Sequence, residues 1–228
     1  MASLANRYQS VLERIDASAR DANRDVSDIK LVVITKNHPA SMVLELIELG
    51  ARNFGENRDQ EAGPKAAEIA IQNATPINWH FVGQLQTNKV KSALSYASTI
   101  HSLDRQSLLD SLNKNWQSIS QPLDVFIQLN LTDDPGRGGI EPKNLEPFAQ
   151  NVLAAENLNL MGVMGVAALD RSPEQDFETI RNASESLQKV APQAKFISMG
   201  MSGDFETAIS FGATHLRIGS EIMGNRVY

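Results

Sequence analysis

A closed (β/α)8 TIM barrel is the fold this sequence predicts, and three observations lead to it. Eight short apolar or β-branched runs are each followed by a stretch with helical periodicity, the last one short. Helical patterns rather than hairpin turns separate the runs, so neighbouring strands lie parallel. The chain has 228 residues, near the lower size limit for such a barrel. An open doubly wound sheet satisfies the same periodicity and stands as the alternative. No linker and no low-complexity stretch divides the chain, so residues 1–228 read as one α/β domain preceded by an extra N-terminal helix.

Composition narrows the function classes. Hydrophobic residues make up 42% of the chain, an ordinary share for a globular protein. There is no cysteine, which excludes disulfides, thiolate catalysis and cysteine-ligated zinc. The net charge is −6 with no dense Lys/Arg block, which argues against nucleic acid as the main partner. No apolar run reaches the length of a membrane span. The opening MASLANRYQSVLERI is an amphipathic helix with charges inside it, not a signal peptide. A cytoplasmic address fits these features.

The first helix carries Leu4, Tyr8, Val11, Leu12 and Ile15 on one face. The run Leu31-Val32-Val33-Ile34-Thr35-Lys36 does not alternate apolar with polar, so it reads as a strand buried on both faces. Asn37, His38 and Pro39 stop it. Ser41 is placed to cap the next helix, which Gly50 ends. Ala51–Arg58 is a short strand with a polar exit, followed by a helix carrying Ala62, Ala66, Ile69 and Ala70. Trp79–Gly83 is the third strand, and Gln84 opens the helix behind it. Ser98–Leu103 is the fourth, with the Leu108, Leu109, Leu112, Trp116 and Ile119 stripe as its helix.

Asp124–Asn130 is the fifth strand, followed by the Gly/Asp-rich loop 132–139. Pro142 suits the first turn of a helix carrying Leu145, Phe148, Ala149, Val152 and Leu153. Leu160–Val166 is the sixth strand. Ser172, Pro173 and Gln175 then combine a cap, a first-turn proline and a capping-box glutamine. Lys195–Met199 is the seventh strand, Phe205, Ala208 and Ile209 mark a helix, and Thr214–Gly219 is the eighth strand.

Polar residues collect where these strands end: Lys36, Glu56, Asn57, Gln84, His101, Ser102, Asn130, Ser198, Ser202, Arg217 and Ser220. In a barrel these ends converge on one mouth, where ligands bind. A lysine at such a place loses part of its hydration, which favours the neutral amine that attacks carbonyls. Two glycine-rich turns, 198–203 and 218–220, follow the seventh and eighth strands. Small residues and free backbone N–H groups at these positions suit a phosphate. Arg217 adds a cation at the last strand, and Arg137 one in the loop after the fifth. The four histidines, His38, His80, His101 and His215, form no metal-binding spacing. His80 and His215 read as hydrogen-bonded core residues. A strand-end lysine beside a phosphate site serves either of two chemistries. One is a Schiff base to a sugar phosphate, as in class I aldolases; the other is a Schiff base to pyridoxal 5′-phosphate (PLP).

Taken together, ITKNHPA around Lys36, FGENRDQE at 54–61, WHFVGQLQTNK at 79–89, HSLDR at 101–105, ISMGMSGDFETAI at 197–209 and LRIGS at 216–220 resemble the YggS/PROSC family of PLP homeostasis proteins. The resemblance runs from about Leu31 to Gly224. It implies a barrel like the N-terminal domain of alanine racemases, the fold type III of PLP proteins. It further implies that Lys36 holds PLP as a Schiff base and that Asn57 lies beside the ring. On the same resemblance, Ser202 and the backbone of Gly219 and Ser220 would hold the phosphate, with Ser198 assisting, and Arg217 would face the pyridine nitrogen. An arginine there makes the ring a poorer electron sink.

Racemases of this class also use a tyrosine from a second domain of a partner subunit. Here Tyr8, Tyr96 and Tyr228 all lie away from predicted strand ends in the mouth. The expectation is therefore a monomeric, cytoplasmic PLP carrier with no catalytic residue and no resident metal. Its partners are PLP and apo-PLP enzymes, not nucleic acid or membrane. A racemase-like enzyme is the alternative. Departures from the family pattern fall at Asn37-His38-Pro39, at Arg137 and in the C-terminal MGNRVY.

Overall fold

A computed structural model describes residues 2–116, 122–132, 135–168 and 170–224. Eight parallel strands close into a barrel in the order of the sequence. They are β1 Lys30–Ile34, β2 Asn53–Glu56, β3 Asn78–Phe81, β4 Ala97–Leu103, β5 Leu123–Gln128, β6 Leu158–Met164, β7 Phe196–Ser198 and β8 His215–Ile218. Pairing of β1 with β8, from Lys30 opposite His215 to Val33 opposite Ile218, seals the circle. The sheet is therefore closed and not open, which settles the choice that periodicity left.

Around it run α1 Leu4–Asp21, α2 Ala40–Glu48, α3 Asp59–Gln72, α4 Val90–Ala93, α5 Gln106–Asn115, α6 Leu145–Leu153, α7 Pro173–Val190, α8 Phe205–Ser210 and α9 Ser220–Met223. Val32, Val33 and Ile34 are all buried, as a strand covered on both faces requires. One apolar layer joins strands to helices through side chains such as Phe54, Leu108, Phe177 and Phe205. Each fully buried side chain of this size contributes roughly 1.5–3 kcal/mol. Inside the barrel the filling is partly imidazole. His101 stacks on Phe126 at 4.6 Å between centroids, and His215 meets Phe126 edge-on at 5.0 Å.

Several local expectations are corrected. Gln84 does not open a helix: the chain leaves β3 irregularly, turns once as 3-10 at Thr87–Lys89, and only then forms α4. Ser41 does not cap α2, because the helix starts at Ala40 with Pro39 in the cap position and no side-chain cap bond. Pro142 opens a separate 3-10 turn, Pro142–Asn144, ahead of α6. Ser172 occupies the cap position of α7 without capping it, since its hydroxyl turns to Glu174. Ile119, Asp133, Asp134 and Tyr228 lie outside the described residues. The predicted N-terminal helix is present as α1, which packs on α8 and α9.

Candidate functional site

The site is built at the carboxyl ends of the strands. The chain leaves β1 through Thr35, whose N–H donates to Gly55 O (3.0 Å) and whose side chain is fully buried. It then turns sharply: His38 N donates to Thr35 O (3.1 Å), and Asn37 takes a left-handed φ of 62°. Asparagine tolerates that conformation better than most residues. Lys36 stands at the crest of this turn, half-buried. Among the described residues no side-chain hydrogen bond or ion pair engages its amine.

A buried cluster underlies the turn. Lys65 of α3 donates to Thr35 O (2.9 Å), Glu56 Oε1 (2.5 Å) and Glu61 Oε1 (2.9 Å). Thr35 Oγ1 donates to the same Glu56 oxygen (2.7 Å), and Glu61 accepts from the N–H of Asn37. Burial raises the Glu56 pKa, with Lys65 pulling the other way. The residues on both sides of Lys36 are thus tied to one ion cluster.

Across the mouth, two turns meet. Gly200 has a φ of 91°, where a side chain would be strained. Asp204 Oδ1 accepts from Met201 N (2.6 Å), folding 200–204 into a tight loop. Ser202 Oγ in turn accepts from Gly219 N at 3.4 Å. Arg217 N donates to Gly200 O (2.9 Å), locking the end of β8 to that loop. The Arg217 guanidinium is buried and donates to Ser198 Oγ (2.7 Å) and Gly165 O (2.9 Å). Burial brings its pKa down to about 10, with Asp204 opposing.

These pieces enclose a cavity of about 480 Å³, within the range of small-molecule sites. Lys36, Asn57, Ser202, Arg217, Gly219 and Ser220 all line it, six of the seven residues expected there. Asn57 reaches it because Gly83 lets the two chains approach: a Cβ on Gly83 would lie 2.2 Å from Asn57 O. His38, Val82, Val166 and Met201 complete much of the wall, and nothing in the sequence marks the three apolar ones as cavity residues.

Ser198 is the seventh, and it does not line the cavity. It is fully buried, with its hydroxyl committed to Arg217 and to His101 Nδ1 (2.8 Å). His101 is likewise inside the barrel and not at the mouth, bonded through Nε2 to His80 Nδ1 (2.9 Å). The reason is register: β4 runs on to Leu103, so His101 is still within the strand. Burial holds both imidazoles well below the ordinary histidine range. The sequence does carry a signal for Lys65: it lies three residues after Ala62 and four before Ile69, on the apolar face of α3. Among the described residues, no group of three or more potential metal ligands is assembled. No helix among them is long and apolar enough to cross a membrane.

Barrel, strand-end lysine and paired glycine turns define a class: barrels of the kind that form the N-terminal domain of alanine racemases. A family model described as "Alanine racemase, N-terminal domain" matches residues 11–227. An alanine racemase from Corynebacterium glutamicum superposes with a TM-score of 0.68 at 14% identity over 95% of this chain and 62% of its own, a likeness of fold alone. Within that class the similarity is sharper. The pyridoxal phosphate homeostasis protein of Mycobacterium leprae is 36% identical over 97% of this chain and 92% of that protein. PipY of Synechococcus elongatus, solved with PLP bound, superposes with a TM-score of 0.84 at 30% identity, covering 97% of this chain and 100% of PipY. The chain belongs to the family of pyridoxal phosphate homeostasis proteins.

Proposed function

We propose that this protein holds PLP as a Schiff base on Lys36 and takes part in PLP homeostasis as a carrier that buffers the cofactor and delivers it to apo-enzymes. The observation that supports this most directly is the single cavity that brings Lys36, Arg217 and the Ser202, Gly219 and Ser220 turn together. PLP supplies an aldehyde, which condenses with a primary amine and releases water. The other end of the cofactor is a phosphate. The facing turn offers backbone N–H groups and a small hydroxyl, the donors such a group needs. Asn57 would flank the ring, and Arg217 would face its nitrogen and keep that nitrogen unprotonated.

The same residues argue for a carrier over a racemase. Racemisation needs a second base opposite the lysine. Among the described tyrosines, Tyr8 is buried in the core beneath α1, and neither it nor Tyr96 lines the cavity. Tyr96 donates to Asp59 Oδ1 (3.3 Å), and its pKa is raised by burial and by that carboxylate. It stays protonated and is a poor base. A Schiff base is labile toward other amines, which suits release. We place the carrier in the cytoplasm, as a monomer.

The test is the visible spectrum of the purified protein beside that of Lys36→Ala. The expected result is an absorption band in the wild type that borohydride abolishes and that the variant lacks. No band in the wild type after adding PLP would remove the cofactor reading. Retention of PLP against excess apo-enzyme would remove delivery. Loss of α-deuterium from L-amino acids would restore the racemase.

A further inference from the structure

Arg217 is a buried cation with no carboxylate in ion-pair contact among the described residues. Asp204 is an acidic group that acts on it electrostatically, but the Asp204 carboxylate accepts from Met201 N. What the guanidinium does touch is the end of a hydrogen-bond chain that crosses the barrel. Ser198 Oγ lies 2.7 Å from the guanidinium and 2.8 Å from His101 Nδ1. His101 Nε2 is 2.9 Å from His80 Nδ1, and His80 Nε2 is 3.3 Å from Asn53 Oδ1. Asn53 opens β2 at the opposite rim, where its side-chain oxygen also accepts from the exposed Asn78 amide (3.1 Å).

Both ends set the direction of this chain. A guanidinium only donates, so the Ser198 oxygen accepts from it, and its own O–H remains available to donate to His101 Nδ1. At the far end Asn53 Oδ1 only accepts, so His80 Nε2 carries a proton. The middle bond then has one solution: His101 Nε2–H donates to His80 Nδ1. Each ring is neutral, and each bond is satisfied. Every dipole in the series turns its lone pair toward Arg217, and bonds in series polarise one another. The groups facing the two rings are His215 on β8, Lys30 on β1 and Arg217 itself, all basic. Nothing on that side favours an imidazolium.

We propose that Ser198, His101 and His80 are positioning residues that form a one-directional, neutral counter-dipole for Arg217, holding its guanidinium charged and aimed at the cavity. A carboxylate in that place would also hold the arginine, but it would cancel the positive charge the cavity sees. The neutral chain orients the cation and leaves its field intact.

The closing experiment has an arm that needs no cofactor and an arm that rests on the PLP reading. Nitrogen-15 spectra of labelled histidines in the unliganded wild type should show His80 and His101 as neutral Nε2–H tautomers from pH 5.5 to 8. An Nδ1–H tautomer at His101, or an imidazolium in either ring, overturns the proposal. In the PLP-loaded protein, His101→Phe should shift the pH midpoint of the visible band by about half a unit or more. His101→Gln should restore the wild-type midpoint, because an amide accepts at one end and donates at the other. An unchanged midpoint in His101→Phe overturns the proposal as well. Absence of any band in the wild type defeats the cofactor reading, and the nitrogen spectra still decide the chain.

Discussion

Lys65 donates to the main-chain carbonyl of Thr35 at 2.9 Å, and Thr35 is the residue immediately before Lys36. Its partner Glu61 accepts the N–H of Asn37, the residue immediately after. The Lys65–Glu61 pair on a neighbouring helix therefore holds the backbone on both sides of Lys36, which lines the cavity. That backbone is held, while among the described residues no hydrogen bond or ion pair engages the Lys36 amine.

Lys65→Met should strip the buried Glu56 of its cation and cost about 3 kcal/mol at neutral pH, the usual scale for breaking a buried pair. The Glu56 pKa is already raised above its ordinary 4.5 by burial, and losing Lys65 raises it further. A protonated Glu56 needs no cation, so the penalty narrows as pH falls. Urea unfolding of wild type and variant at pH 7.5 and pH 5 measures this. A penalty that widens toward acid contradicts the account.

Gly83→Ala places a methyl 2.2 Å from Asn57 O, a backbone atom. Overpacking of this sort costs about 1–3 kcal/mol. The displaced Asn57 should also weaken PLP binding. Thermal unfolding together with a PLP titration reads both effects, and a variant with unchanged affinity would detach Asn57 from the site.

Ser202→Ala removes a hydroxyl from the turn opposite Lys36. A hydrogen bond to a charged group is worth about 1.5–3 kcal/mol, so PLP affinity should fall roughly tenfold or more. Pyridoxal, which lacks the phosphate, should bind the variant and the wild type alike. Equal losses for both ligands would place Ser202 elsewhere than at the phosphate.

Arg7 of α1 donates to Ile222 O (2.7 Å) and Met223 O (3.2 Å), the last carbonyls of α9. That short helix begins at Ser220, in the cavity wall. Arg7→Ala leaves those carbonyls without their donor and should lower stability by about 1 kcal/mol. Release of PLP, followed by stopped-flow absorbance, should become faster. Unchanged release would confine the α1 contact to a structural role.

His215 is buried neutral, its pKa brought from 6.5 to about 3 chiefly by desolvation. The unfolded chain binds a proton there below pH 6.5 and the folded chain does not. Stability is therefore lost as pH falls through the window from 6.5 toward 3, by up to about 1.4 kcal/mol per pH unit. His215→Phe should make the pH dependence of the urea midpoint shallower between pH 6.5 and 4.5. An unaltered slope would show that other groups set it.

Much of this architecture is legible in order along the chain. The continuous run Val32-Val33-Ile34, the helical stripes and the absence of hairpin turns require a parallel sheet covered on both faces. The strand-end lysine and the two glycine turns also announce themselves, because their chemistry is local. Helix caps are less legible in the sequence. Ser41 and Ser172 satisfy a cap pattern, yet one sits inside its helix and the other turns to Glu174. A short polar side chain has several local partners, and sequence does not rank them.

The sequence by itself determined the element order, the parallel pairing and the set of polar groups available at the mouth. Only the tertiary structure decided closure, since the β1–β8 pairing joins residues almost two hundred positions apart. It also decided which polar groups face the cavity and which lie beneath it. Ser198 and Ser202 look alike in the sequence, four residues apart in one glycine-rich segment. The first ends β7, pointing inward to Arg217 and His101, and the second lies in the turn beyond it. The physical reason is that side-chain direction follows strand register, and the register of a closed sheet is set by partners remote in sequence.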